Sequence, residues 1–366
     1  MESDYAIVGG GVVGLAVAYG LLGLGRRVTV LDEGDGAWRA SRGNFGLIWV
    51  QGKGLDAPAY ARWTRRSAAA WKDFAAELRE ESGCDLALRQ EGGLDFHLDE
   101  ASLAARAARL AALREALGGE YPFEVLGSSA LRREEPEVGP RVAGAILHAE
   151  DGHVNPLRLL RTLAFLVRAR GGTVRTGVTV AAAAPSAGGV RLKTAAGETV
   201  EAGRVVLCAG LGAARLGPML GFRAPVRPQR GQVMITERLA RLMRRPSAIL
   251  RQVDEGGVQI GDSSEEVGFD DRDTLAVTAA NARRAVRIFP ALERARVVRS
   301  WAALRVMSPD GLPIYQRSTT VPGAWLVTCH SGITLAAAHA RLIPLWLEGR
   351  DGAPDLEAFG EQRFPL

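Results

Sequence analysis

The stretch Tyr5 to Asp32 constrains this chain more than any other. Tyr5-Ala-Ile-Val8 is a short apolar run, and Gly9-Gly-Gly-Val-Val-Gly14 follows it at once. Leu15 to Gly23 reads as an apolar helix that Gly25 ends, and Val28-Thr-Val-Leu31 is a second strand-like run closed by Asp32. Strand, G-x-G-x-x-G turn, helix, strand and acid in this order make the βαβ start of a dinucleotide-binding domain. Gly9 permits the tight turn out of the strand. Gly11 lacks a Cβ, so a pyrophosphate can approach the backbone, and Gly14 lets the helix lie close on the sheet. The helix start, with Val12 and Val13, offers N–H groups and a partial positive charge to a diphosphate. Asp32 lies 18 positions after Gly14, with Glu33 beside it. An acid there accepts hydrogen bonds from a ribose 2′-OH and repels a 2′-phosphate, which argues against NADP.

A chain of 366 residues can bury a large core and form two lobes. It has no apolar run of about 18 residues, so no membrane span is expected. The N-terminus does not read as a signal peptide, and the expected compartment is the cytoplasm. Cys84, Cys208 and Cys329 are isolated; they predict reduced thiols and no metal or iron–sulfur site. The formal charge of +5 is small for this size. Arginines alternate with acids, as in Arg132-Arg-Glu-Glu135, so a solvated surface is expected rather than a nucleic-acid partner.

After Asp32 the loop Glu33 to Gly54 is rich in Gly and Ser, and its small residues let the chain pass close to a flat ligand. Tyr60 to Glu81 reads as one amphipathic helix with Tyr60, Trp63, Trp71, Phe74 and Leu78 on one face. Ala87 to Leu98 reads as a strand pair and Ala101 to Leu117 as a helix. Asn155 caps a helix from Leu157 to Arg170, with Pro156 in its first turn. Strand material follows to Cys208. A β-rich stretch, Val226 to Phe269, suggests a separate sheet, and Leu335 to Leu347 reads as a last helix. The expected fold class is α/β (α+β, two-lobed), a Rossmann-like domain with a second domain built on a mainly antiparallel sheet. The expected dinucleotide domain is discontinuous, over 1–82, 140–222 and 296–366. The substrate domain takes 83–139 and 223–295.

Several separated motifs resemble one family, the FAD-dependent D-amino acid oxidase superfamily with glycine and sarcosine oxidases. They are the glycine turn, Ala40-Ser-Arg-Gly-Asn44, Asp151-Gly-His-Val-Asn-Pro156, Val205-Val-Leu-Cys-Ala-Gly210, Arg230-Gly-Gln232, Trp301-Ala-Ala-Leu-Arg305 with Pro309-Asp-Gly311, and His330-Ser-Gly-Ile-Thr334. Phe45-Gly-Leu-Ile-Trp-Val-Gln-Gly-Lys53 looks most like the flavoprotein subunits of D-hydroxyproline, opine and cyanide-forming glycine dehydrogenases.

The resemblance implies FAD across the first unit, contacted by Ser41, Arg42, Gly43, Asn44, Phe45, Gly46, Val178, Cys208, Ala209 and Gly210. It implies oxidation of the CH–NH bond of a small amino acid by hydride transfer to flavin N5. The candidates are a D-amino acid, glycine, and an N-methyl or cyclic amino acid such as D-hydroxyproline; the product is an imine, then a keto acid. Arg305 matches the anchor of the substrate carboxylate, a task suited to a planar guanidinium. Gly332, Ile333 and Thr334 open the last helix and face the anionic edge of reduced flavin. His330, Trp49 and Lys53 border the substrate. Related sarcosine oxidases attach flavin to a cysteine near the Pro-Asp turn. This chain has none between Cys208 and Cys329, so noncovalent FAD is expected. The acceptor of the electrons is left open between oxygen, a quinone and a partner subunit. Two alternatives also stay open, a flavin enzyme that modifies tRNA and a non-catalytic flavin electron-transfer subunit.

Overall fold

The computed structural model describes residues 3–34 and 40–365. Its centre is an eight-stranded sheet. Across it run Ile314–Arg317, Ala324–Thr328, Thr199–Leu207, Ser3–Val8, Val28–Asp32 and Thr173–Thr176, and the hairpin Val180–Ser186/Gly189–Thr194 adds to Thr199–Leu207. Ser3–Val8 pairs in parallel with both neighbours, and Ala324–Thr328 pairs in parallel with Thr199–Leu207. Tyr5, Ala6, Ile7 and Val8 are all buried, as a parallel strand covered on both faces requires. Helix Val12–Gly23 is apolar almost all round because it too is covered, by the sheet and by helices Pro156–Ala169 and Ala336–Arg341.

A four-stranded antiparallel sheet, in the order Leu250–Gln252, Gly257–Ile260, Arg227–Arg238, Val297–Met307, forms the second layer. A third sheet joins Gly93–His97, Gly144–His148 and Glu124–Gly127. The fold is the mixed α/β arrangement expected, a parallel core with antiparallel sheets. Strands Val297–Met307 and Gly144–His148 pair with Arg227–Arg238 and Gly93–His97, across the boundaries expected at 296 and 140.

Local expectations differ from the structure in three places. Tyr60–Glu81 is two helices, Pro58–Ala69 and Trp71–Ser82, broken at Ala70; the aromatic face is nonetheless all core. The last helix is also two, Ala336–Arg341 and Ile343–Glu348. Pro344 has no N–H to continue the ladder, and the break falls just before it. Gly332, Ile333 and Thr334 therefore lie in a turn leading to a helix that starts at Ala336. Of Ala87–Leu98 only Gly93–His97 is a strand. The cap of helix Pro156–Ala169 is as expected, with Asn155 Oδ1 accepting from the N–H groups of Leu157 and Arg158 at 3.1 Å.

Candidate active site

The chain leaves Ser3–Val8 for Val28–Asp32 on one side and returns on the other through Thr199–Leu207. A crevice opens beyond the carboxyl end of a strand at such a reversal. Here it becomes a cleft lined by Gly9, Gly11, Val12, Val13, Asp32, Glu33, Ser41, Arg42, Val178, Cys208, Ala209, Gly210 and Gly332. Through Ala40, Asn44 and His330 it meets a second cavity, bounded by Gly43, Phe45, Trp49, Lys53, Arg305, Ile333 and Thr334 among others. The structure thus gathers residues as far apart in the chain as Gly9 and Thr334, 325 positions, into one groove.

Gly14 and Gly46 line neither part. Both are packing positions. A Cβ on Gly14 would stand 2.0 Å from the carbonyl oxygen of Gly9, and one on Gly46 would stand 2.4 Å from that of Val154. Gly11 differs: the nearest atom to its missing Cβ is the Ser41 hydroxyl at 3.1 Å. The N–H of Val12 donates to that hydroxyl at 3.0 Å, so Ser41 sits at the helix start where a diphosphate would be received. Asp32 is buried and braces the turn, accepting from the N–H of Gly10 at 2.7 Å and of Gly34 at 3.1 Å. A glycine backbone bare toward the cleft, an acid at the second strand end and an apolar far end at Val178, Val180 and Leu216 fit an extended dinucleotide.

In the second cavity Arg305 comes from strand Val297–Met307. Its guanidinium donates to the carbonyl oxygen of Ser263 at 2.7 Å and to that of Arg230 at 3.4 Å. Among the described residues no carboxylate lies within ion-pair distance of it. Burial lowers its pKa, and the charge of Asp262 works against that. His330 is held well below its ordinary pKa by burial, with Lys53 and Arg305 acting the same way, so it is neutral. Trp49 walls the cavity, but its ring lies against Gly93, and its main-chain N–H donates to the Thr334 hydroxyl at 3.1 Å. Thr334 also accepts, at its carbonyl, from the Ser67 hydroxyl and the Trp71 indole, which fixes the turn from below.

Gly231, Asp262 and Ser331 escaped the sequence reading as site residues, although Gly231 and Ser331 lie in motifs quoted above. The period of a strand is the signal that could have found Gly231. Gln229 pairs with Arg305 across the ladder, so Gly231 is the diagonal neighbour on the same face.

A sequence model described as FAD dependent oxidoreductase matches residues 4–344. The chain is 42% identical to one of the subunits of opine oxidase from Agrobacterium tumefaciens, covering 99% of this chain and 98% of that one. It is 29% identical to glycine oxidase of Pseudomonas putida over 96% of each. It is also 29% identical to the HcnC subunit of hydrogen cyanide synthase from Pseudomonas aeruginosa, over 99% and 96%. The crystal structure of glycine oxidase from Geobacillus kaustophilus superposes with a TM-score of 0.91 at 27% identity, covering 100% of this chain and 99% of that one. The chain belongs to the D-amino acid oxidase family of FAD-dependent oxidoreductases, which bind FAD and act on amino acids or amines.

Proposed function

We propose that this chain oxidises the CH–NH bond of a small amino acid to an imine, which water then converts to a keto acid. The substrate class is a D-, N-methyl or cyclic amino acid, or glycine. The observation that carries this reading is the Arg305 guanidinium, with no carboxylate within ion-pair distance among the described residues, in a cavity that opens onto the dinucleotide cleft. Its planar fork suits two parallel bonds to a carboxylate, which would fix the substrate by one end and leave its Cα and nitrogen toward the cleft.

Gly9, Gly11, Val12, Val13 and Ser41 would hold the diphosphate, Asp32 the ribose, and Val178 the adenine end. Gly332, Ile333 and Thr334 would face the ring. FAD supplies a two-electron acceptor when bound. Phe45, Val233, Ala248 and Leu304 give the substrate cavity an apolar part of its lining. His330, held neutral, adds no cation beside a substrate amine that must itself be neutral to react. The names opine oxidase and glycine oxidase support an amino acid substrate. Two relatives named as subunits support a partner subunit that passes electrons on, in place of direct reaction with oxygen or a quinone.

The test is anaerobic bleaching of the FAD-loaded protein across glycine and D-, N-methyl and cyclic amino acids. At least one should bleach the flavin; a protein that stays yellow with all of them refutes the reading.

A further inference from the structure

Lys53 is a titratable group that the proposed reaction leaves unused. It enters the substrate cavity from the turn after strand Leu47–Ile48, whereas Arg305 enters from the antiparallel sheet. The turn is firmly held. Asp151 accepts from the N–H groups of Val50 at 2.5 Å and Gln51 at 3.2 Å, and the Tyr121 hydroxyl accepts from that of Gly52 at 3.2 Å. Lys53 Nζ donates to the Ser331 hydroxyl at 2.9 Å, and the same oxygen accepts from the Tyr60 hydroxyl at 2.8 Å. The Ser331 O–H is then left to His330 Nδ1, 3.4 Å away. Beyond Ser331, Lys53 Nζ has no hydrogen-bond partner among the described residues, and no carboxylate lies within ion-pair distance of it.

The amine must be neutral to react, yet an amino acid in neutral water carries an ammonium. Its proton needs an acceptor in the cavity. Arg305 keeps its own proton at any working pH. Burial holds His330 well below its ordinary pKa, so a proton placed there does not stay. Asp262 sits 3.5 Å from Arg284. Asp151 is engaged by main-chain N–H groups, although burial raises its carboxyl to about 7. Cys329 and Tyr60 stay protonated, burial pushing the thiol up to about 12 and the phenol higher. Arg106, packed over Gly52, pairs with Asp95 at 3.0 Å. Lys53 remains. Burial lowers its ammonium to about 8, with Arg305 acting in the same sense and Cys329 and Asp151 against it. Charge counting leads to the same group. A carboxylate on Arg305 offsets that guanidinium and leaves the substrate ammonium beside Lys53. Two ammoniums in one buried cavity without a counter-charge cannot both keep their protons.

We propose that Lys53 is the proton acceptor of the reaction, taking a proton from the ammonium of the bound amino acid so that the amine is neutral when it reacts. The substrate N–H bond breaks, an Nζ–H bond forms, and the electron pair stays on the substrate nitrogen; nothing is oxidised in this step. Ser331 holds the lysine nitrogen in place. This rests on the amine oxidation proposed above.

The first measurement needs no turnover. 2-Aminoisobutyrate has no Cα hydrogen and cannot be oxidised this way, and isobutyrate is the same acid without the amine. Calorimetric titration of FAD-loaded full-length protein at pH 7, in two buffers of different ionisation enthalpy, counts the protons released on binding. About one proton should leave per 2-aminoisobutyrate bound and almost none per isobutyrate, because two nitrogens then share one proton. In Lys53→Met both ligands should release almost none. Equal release by the two ligands in the wild type, or an unchanged difference in Lys53→Met, would overturn the proposal. The second measurement follows anaerobic bleaching against pH at low substrate. The wild-type rate should climb with pH and level off at about 8, where Lys53 loses its proton. In Lys53→Met the climb should continue to the pKa of the substrate's own ammonium, leaving the variant about a hundredfold slower at pH 8, the scale of a general base. A slower variant with the wild-type profile would make Lys53 structural and overturn the proposal too. Full FAD content shows that the variant folds. Proton release that depends on Lys53, in a protein whose flavin no amine bleaches, would refute the amine oxidation and keep the proton transfer. Bleaching without such release would do the reverse.

Discussion

The guanidinium of Arg305 occupies the space a side chain would take at Gly231: a Cβ there would stand 2.7 Å from its Cζ and both terminal nitrogens. The anchor is therefore positioned by what its neighbour lacks. Gly231→Ala should displace the guanidinium and raise KM for the substrate about tenfold, while FAD content stays full. Arg305→Ala should raise KM roughly a hundredfold, the scale for losing one partner of a buried charge pair. Steady-state kinetics checks both, and an unchanged KM in Arg305→Ala removes the anchor role.

Gly11 and Gly14 lie one helical turn apart and should fail differently. At Gly14 a methyl meets the main chain at 2.0 Å, so Gly14→Ala should cost about 2 kcal/mol or more by overpacking. At Gly11 the neighbour is one hydroxyl at 3.1 Å. Gly11→Ala should keep the fold and weaken FAD binding. Urea unfolding of the apoprotein and flavin titration separate the two.

His148 is fully buried against the Tyr121 ring, and burial lowers its pKa to about 4. The folded state thus binds fewer protons than the unfolded one between pH about 6.5 and 4. Stability is fully present above that window and falls through it on acidification, by roughly 3 kcal/mol if this group acted alone. His148→Gln should reduce the pH dependence of the urea midpoint across the same interval, the buried His153, His339 and His330 supplying the remainder. An unchanged slope would remove His148 as its source.

Cys208 and Cys329 both line the dinucleotide cleft. Burial pushes the Cys329 thiol up to about 12 and the Cys208 thiol higher still. Thiols that stay protonated are poor nucleophiles. Acid precipitation should therefore release all the FAD into the supernatant, and yellow colour retained in the pellet would contradict this.

The parts of the site that sequence made legible are the local ones. The glycine turn, Asp32 and the cap at Asn155 each depend on residues within one βαβ unit or one helix turn. The Arg305–Gly231 contact joins residues 74 positions apart and depends on the register of two antiparallel strands. Lys53 and Ser331 are 278 apart; the motifs that hold them point to one site, but the hydrogen bond between the two side chains depends on the tertiary fold. The break at Ala70 was hidden for another reason. Tyr60, Trp63, Trp71, Phe74 and Leu78 face one core on both sides of it, so the apolar period runs on where the helix does not.

Trp301 donates its indole N–H to the carbonyl oxygen of Gly43 at 3.2 Å, and a Cβ on Gly43 would stand 2.3 Å from that of Ala303. The strand that presents Arg305 is thus seated on the loop that borders the dinucleotide cleft. Descendants of this scaffold can exchange cavity side chains such as Val233 or Ala248 and so change diet. Remodelling Trp301 or Ala303 would disturb the seat of the cofactor first, and such lineages would lose catalysis before acquiring a new menu.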